Sequence, residues 1–134
     1  MPGYSGTPLV RKLGLQKGHR VALLGAPPGF RTLLRPLPAA LHWTDRLEPP
    51  LDCIILFAPD SAALHRGLRR AASALAPAGM LWVAWPKKAA EAPTDLSSAR
   101  VRTAGLESGL VDVKVCAVTD VWSGLKFVRR LKDR

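Results

Sequence analysis

Two short segments of the chain carry groups that could bind an anion, and each follows an apolar run. The first, the glycine loop (residues 25–29, Gly-Ala-Pro-Pro-Gly), follows the run 20–25 and opens a predicted helix. Backbone N–H groups at Gly29 and Phe30 are predicted to be free there, as at the start of any helix. The second segment is Lys87-Lys88, which follows the run 79–85. A phosphate or carboxylate would suit both segments.

These segments are predicted to meet because of the elements that carry them. Apolar runs separated by helical crossovers form parallel strands that share one carboxyl edge, where open α/β sheets bind ligands. Each segment also has an interpretation that requires no ligand. Lys87-Lys88 is then an ordinary solvated lysine pair, and the glycine loop is then only a tight strand-to-helix turn. The candidate ligand-binding residues are Gly25, Pro27, Gly29, Phe30, Arg31, Lys87 and Lys88.

Other residues of catalytic type form no complete constellation. Ser5 and Ser123 have no evident base, and the three histidines are scattered along the chain. Cys53 and Cys116 each lie in an apolar run without a Cys-x-x-Cys spacing, which is typical of reduced, buried thiols. The sequence therefore predicts no catalytic residues of a known triad and no metal site.

The length of 134 residues and the apolar fraction of 48% fit one globular domain with its own core. We expect a single α/β domain over 1–134, in which 1–19 form an N-terminal arm, including Tyr4, and a short helix. The first residues lack the apolar segment of a signal peptide. No apolar run approaches the roughly 18 residues of a membrane helix. The sequence predicts a cytoplasmic protein with no membrane association.

The formal net charge of +10 is the most unusual global property of the chain. Residues 1–44 contain six lysines or arginines and no acidic residue, and the C-terminal segment from Gly124 is also basic. Such a balance favours anionic partners, nucleic acid first. The alternative is that arginines simply solvate the surface of a protein with a high-GC composition. Oligomeric state cannot be inferred from these features.

The order of predicted elements indicates an α/β fold. Strands are predicted at 20–25, 40–44, 51–58 and 79–85, and longer helices at 61–75 and 95–108. Residues 110–118 and 125–131 alternate as an antiparallel hairpin does. We predict a mostly parallel Rossmann-like sheet with helices on both faces and a C-terminal antiparallel hairpin. Interior strand positions are predicted at Leu23, Ile55, Val83 and Val115.

The closing hairpin makes this arrangement resemble class I methyltransferases, whose last strand runs antiparallel beside its predecessor. The segment Leu75-Ala-Pro-Ala-Gly-Met-Leu-Trp-Val also resembles the methyltransferase segment that enters the fifth strand. The connection from Thr44 to Leu51 is short, with room for one strand where the larger fold has two. The resemblance covers roughly residues 20–131 and implies a minimal version of that fold.

The amino-acid sequence is also similar to a bacterial family known as domain of unknown function 3052. The resemblance covers nearly the whole chain but implies no established activity. It rests on four stretches, residues 4–9, 21–30, 81–88 and 109–128. They begin with Tyr4-Ser-Gly-Thr-Pro, Val21-Ala-Leu-Leu-Gly-Ala-Pro, Leu81-Trp-Val-Ala-Trp-Pro-Lys-Lys and Gly109-Leu-Val-Asp-Val-Lys-Val-Cys-Ala-Val, and the last includes Trp122-Ser-Gly-Leu-Lys-Phe-Val.

The methyltransferase resemblance implies an S-adenosylmethionine site at the glycine loop, and the sequence departs from that pattern. Leu23 stands where an acidic residue is usual, and Pro27 replaces the middle glycine, adding a ring and removing an N–H donor. Asp45, 20 residues after Gly25, keeps the position of a ribose-binding acid. We therefore expect no cofactor, with S-adenosylmethionine disfavoured.

Three classes of function follow from these observations. The first is a non-catalytic methyltransferase-like domain that binds nucleic acid or a phosphorylated small molecule. The alternatives are a minimal S-adenosylmethionine-dependent methyltransferase and a structural subunit of a bacterial complex.

Overall fold

One mixed six-stranded sheet organises the protein, in a computed structural model that describes residues 7–90 and 92–134. The strand order is β2-β1-β3-β4-β6-β5. The strands β1 to β6 are Arg20–Leu24, His42–Thr44, Leu51–Phe57, Leu75–Pro86, Leu110–Ala117 and Trp122–Arg129. The helices α1 to α4 are Leu9–Leu13, Phe30–Leu33, Ser61–Ala74 and Ser98–Glu107. Short 3₁₀ helices lie at Lys88–Ala90 and Leu131–Asp133. The predicted α/β class and mostly parallel sheet are confirmed.

Strands β2, β1, β3 and β4 are parallel to one another and form the sheet's first four positions. β3 is buried on both faces because its residues are apolar apart from Asp52. The Asp52 carboxylate accepts the backbone N–H of Arg20 at 2.8 Å, which satisfies a donor at the start of β1. Parallel strands covered by helices on both faces have such continuous apolar sequences. This region carries the carboxyl edge at which a ligand site was predicted.

The hairpin of β5 and β6 is antiparallel, as predicted, and β6 also pairs antiparallel with β4. A bulge between Asp112 and Lys114 breaks the alternation of β5. The predicted apolar stripe of this strand is therefore interrupted at Val113. Val115 was expected in the interior and is instead 62% exposed. It lies in the edge strand β5 and follows the bulge in that strand. Ile55 and Val83 are fully buried, and Leu23 is half-buried.

Helices cover both faces of the sheet, as predicted. α3 and α4 pack on the face that contains Ile54, Val83 and Phe127, and α1 and α2 pack on the opposite face. The Asp60 carboxylate accepts the Ala63 N–H at 2.9 Å and so begins α3, and the Ser97 hydroxyl begins α4 in the same way. α3 ends at Ala74, one residue before its predicted end, because Leu75 already pairs with Leu51 in the sheet.

Trp82 in β4 connects the sheet to α1. Its side chain is fully buried on the α1 side of the sheet, and its indole Nε1–H donates to the Leu13 carbonyl at 2.8 Å. Trp85 lies three residues further along the strand and faces α3 and α4 instead. The indole of Trp82 thus fixes the end of α1 against the sheet.

No helix in the described part of the chain is long and apolar enough to cross a membrane. The predicted arm around Tyr4 lies outside the described residues.

Candidate functional site

A cleft of about 540 Å³ opens where β1 and β2 end side by side. We call it the β1/β2 cleft. Both strands are parallel, so their carboxyl ends and the chain segments that leave them lie at one edge of the sheet. Its volume is in the range of small-molecule sites. Its lining residues are Leu23, Arg31, Trp43, Thr44, Asp45 and Arg46.

Asp45 and Arg46 bring opposite charges to this cleft. Asp45 directly follows β2 and is exposed on the cleft wall. Arg46 is paired with Glu48 at 3.6 Å in a solvent-exposed contact. Such an exposed pair contributes little energy, so the Arg46 side chain remains free to turn toward a ligand.

Arg31 lies on the face of an aromatic ring in the same cleft. Its guanidinium carbon is 4.2 Å from the centroid of the Trp43 ring, which is half-buried on β2. A guanidinium at this distance is attracted by the ring's π electrons. The contact connects α2 to β2 and holds a cation in the cleft that Asp45 also lines.

The glycine loop forms the neighbouring wall. Gly25 has φ +69°, and a Cβ there would lie 3.0 Å from the Phe57 carbonyl oxygen, so the turn requires glycine. Gly29 has φ +78°, and a Cβ there would meet no atom within 4 Å, so this residue faces open space. A hollow of about 160 Å³ along the loop shares Leu23 and Arg31 with the β1/β2 cleft. The loop and the cleft are therefore one continuous surface.

Phe30 does not offer the free backbone donor that the sequence predicted. Its N–H donates to the Pro27 carbonyl at 3.2 Å. Its ring is buried and meets Phe57 edge-to-face, with centroids 4.9 Å apart. The four-residue helix α2 therefore begins at a hydrogen-bonded turn, which leaves the Phe30 N–H without a free position for a ligand. Phe30 thus supports the loop from inside.

Lys87 and Lys88 line a different cavity from the glycine loop. This cavity has a volume of about 560 Å³ and lies against β5, the start of β6 and the segment before α4. The Lys87 N–H donates to the Val121 carbonyl at 2.7 Å, which ties the end of β4 to the hairpin turn. The structure places Arg31 and Asp45 on the β1/β2 cleft, and Pro27, Gly29 and Phe30 on the adjoining hollow. Gly25 forms the turn into the loop and lines neither, and the lysine pair is separated from all of them.

The two cysteines are poor nucleophiles in this fold. Burial raises the pKa of Cys53, which is completely enclosed under the sheet. Burial also raises the pKa of Cys116, although the charges of Lys12 and Lys114 partly oppose that shift. In the described ranges no three histidine, cysteine or acidic side chains are grouped so as to hold a metal ion.

Solved structures share this architecture. The N-methyltransferase NodS from Bradyrhizobium japonicum superposes with a TM-score of 0.56 at 15% identity, covering 89% of this chain and 90% of NodS. A precorrin-6y methyltransferase from Geobacter metallireducens gives 0.61 at 10% identity, covering 91% and 86%. The chain has a class I methyltransferase fold. No family model and no curated protein sequence matches it, so the resemblance to domain of unknown function 3052 stays a prediction.

A third methyltransferase-fold structure bears on the cofactor. An O-methyltransferase of neocarzinostatin biosynthesis, solved with S-adenosylmethionine and 2-hydroxy-5-methyl naphthoic acid, gives a TM-score of 0.61 at 17% identity. The match covers 84% of this chain and 49% of that enzyme, about half its length. The expectation of no cofactor is wrong, because the chain shares its fold with an enzyme that was solved with S-adenosylmethionine bound.

The structure shows where the departures from the methyltransferase pattern lie. The glycine loop turns at Gly25 and Gly29, and Pro27 lies between them without blocking the turn. Leu23 forms part of the cleft wall instead of closing it. The short connection after β2 still leaves Asp45 on the cleft.

Sequence reasoning missed Trp43 and Arg46 as cleft residues. Trp43 lies in the three-residue strand β2, and nothing in the sequence indicated that Arg31 would lie over it. The useful signal was the position of both residues beside Asp45.

Proposed function

We propose that this chain is a methyltransferase-like domain that binds S-adenosylmethionine in the β1/β2 cleft. The observation that carries the proposal is the position of Asp45, directly after β2 and on the cleft that the glycine loop also borders. In nucleotide-binding α/β folds an acid at this position accepts hydrogen bonds from ribose hydroxyls. The volume of about 540 Å³ suits a ligand of this size.

The residues present fit the cofactor in specific roles. Asp45 would accept the two ribose hydroxyls, and Arg31 would pair with the carboxylate of the methionine part. Gly29 would let the ligand approach the backbone, since no side chain occupies that space. S-adenosylmethionine supplies an electrophilic methyl group when bound.

The glycine loop contributes shape more than hydrogen bonds. Pro27 has no N–H, and the Phe30 N–H is already used by the Pro27 carbonyl. Affinity should therefore depend strongly on Asp45 and Arg31. A weaker complex than in a loop with three glycines is expected for the same reason.

Titration calorimetry with S-adenosylmethionine tests the proposal. The parent protein should give saturable binding, and Asp45→Asn should weaken it by about 10-fold or more, as expected for lost hydrogen bonds to a charged group. Asp120→Asn is the matched control, because it removes an equal charge from an exposed residue that does not line the cleft. Absence of saturable binding by the parent, or equal binding by Asp45→Asn, would contradict the site.

A second candidate function is nucleic-acid binding, favoured by arginines in the last part of α3, at the end of β6 and in the C-terminal segment. We call this group the basic end, and it comprises Arg69, Arg70, Arg129, Arg130 and Arg134. The Arg129 guanidinium donates to the carbonyls of Ala72 and Leu75, with 2.5 Å between Nη2 and the Leu75 oxygen. Arg129 thereby satisfies two carbonyl groups at the end of α3. Arg130 reaches the Leu106 carbonyl at the end of α4. Two helix ends and the C-terminal segment thereby concentrate positive charge.

Binding at the basic end should depend on salt and not on base sequence, because guanidinium groups on a surface contact phosphates. For Z phosphates neutralised on duplex DNA, the slope of log affinity against log salt should be about −0.9Z. Fluorescence anisotropy of labelled RNA and DNA measures it. Arg69→Ala/Arg70→Ala should reduce the slope by about two, since each residue contributes one contact at most. A complex whose affinity does not change with salt would contradict this candidate.

A further inference from the structure

We propose a second ligand site, separate from the β1/β2 cleft, for a small amphipathic anion: an aromatic or aliphatic body that carries a carboxylate or phosphate. The site is the cavity of about 560 Å³ beside the end of β4, which we call the lysine cavity. The lining residues used in the argument are Trp85, Lys87, Lys88, Leu96, Val115 and Ser123.

The apolar wall comes from three elements that meet at this point. Trp85, the next-to-last residue of β4, is 6% exposed, and Leu96, in the segment before α4, is 8% exposed. Val115 on β5 is 62% exposed and lines the same cavity. An aliphatic side chain with that much water-accessible surface gains free energy when an apolar ligand covers it. The cavity therefore favours a ligand with an apolar body.

The charged side chains in the described lining of the cavity are both positive. Lys87 and Lys88 both line it, and no aspartate or glutamate does so among the described residues. Neither lysine has a carboxylate within 4.0 Å in the described part of the chain. Arg102, which lines the adjoining hollow, is by contrast paired with Asp112 at 3.1 Å. The lysines are thus the cations available to a ligand's anionic group.

The polar and apolar parts are arranged so that one small molecule can contact both. Ser123 pairs with Trp85 across the β4–β6 ladder, and its side chain supplies a hydroxyl within the cavity lining. The lysines follow Trp85 by two and three residues, so they lie just past the end of β4. Trp85, in the same strand, belongs to the apolar wall of the cavity. Few convergent polar groups on an apolar pocket are typical of small-molecule sites.

Paired probes that differ only in charge test this site. Indole-3-acetate and indole-3-acetamide have the same ring and nearly the same size. By calorimetry or saturation-transfer NMR, the acetate should bind about 5- to 10-fold more tightly than the amide, as expected for two partly exposed lysines. The preference should shrink as salt is raised.

Variants assign the effect to the cavity. Lys87→Ala/Lys88→Ala should bring the affinity for the acetate down to that for the amide, and Lys87→Arg/Lys88→Arg should keep the preference. Val115→Ser should weaken both probes equally, because it removes apolar surface alone. Lys17→Ala/Lys132→Ala removes the same charge from exposed positions outside the cavity and should change neither affinity.

Three results would overturn the proposal: equal binding of the two probes, retention of the acetate preference by the Lys87→Ala/Lys88→Ala variant, or loss of it in the Lys17→Ala/Lys132→Ala control. Asp45→Asn should leave both probes unaffected. The lysine cavity thus stands or falls separately from S-adenosylmethionine binding.

Discussion

Replacing Trp82 by alanine should lower the free energy of unfolding by about 3–5 kcal/mol, the usual cost of removing a buried aromatic ring. The ring is completely buried on the α1 side of β4, so its removal leaves a cavity in the core. The substitution also leaves the Leu13 carbonyl without its indole donor. Urea unfolding followed by circular dichroism measures the change.

Trp82→Phe separates the two contributions. It keeps most of the ring but cannot donate to Leu13, so we expect a loss of about 1–3 kcal/mol, the cost of an unsatisfied buried acceptor together with a small volume change. Trp122→Phe is the control, since Trp122 is half-buried and meets Phe57 only edge-to-face. If Trp82→Phe were as stable as the parent, the indole bond would contribute nothing to holding α1.

Gly105→Ala should also destabilise the protein, by about 1–3 kcal/mol, although alanine is the better helix former. A Cβ at this position in α4 would overlap the ring of Phe127, which is fully buried on β6. Intrinsic propensity favours alanine over glycine by up to about 1 kcal/mol within a helix. The steric term should win because the ring lies in a packed core and has no space to move. Thermal or urea unfolding measures the outcome.

Two further variants make this test specific. Thr103→Ala changes an exposed position of the same helix and should alter stability by no more than about 0.5 kcal/mol. Phe127→Leu combined with Gly105→Ala should recover part of the loss, because the smaller side chain makes room for the methyl group. A Gly105→Ala protein more stable than the parent would mean that α4 can shift away from β6.

The sequence predicted the sheet well where burial and chain order decide the structure. The runs that became β1, β3 and β4 are apolar on both faces, and the helices between them force parallel pairing. The insertion of β6 between β4 and β5 could not be deduced from alternation, which says only that two strands form a hairpin. The bulge at Val113 was missed for a similar reason, because an extra residue changes which face each side chain occupies without changing its type.

The candidate site was predicted in part. The glycine loop and Asp45 border one continuous cleft, as their positions after neighbouring strands suggested. The lysine pair was expected to share that site, but it lies two strands away from β1 in the sheet and lines another cavity. Parallel strands end at the same edge of the sheet, which predicts that both segments lie at that edge. It does not predict how far apart along the edge they lie. The hydrogen bond from Phe30 to Pro27 depends on local dihedral angles that composition does not reveal.

The short connection between β2 and β3 also bears on how quickly a ligand leaves. Only residues 45–50 join these strands, and β2 is the edge of the sheet, so no further strand of the described part of the chain encloses the β1/β2 cleft. A nucleoside held there would keep one side free of the described residues, and its departure would need none of them to move. We expect dissociation to be fast, so that a bound cofactor is replaced many times during a slow encounter with any larger partner. The short β2–β3 connection would then limit the residence time of the cofactor more than it limits recognition of the cofactor.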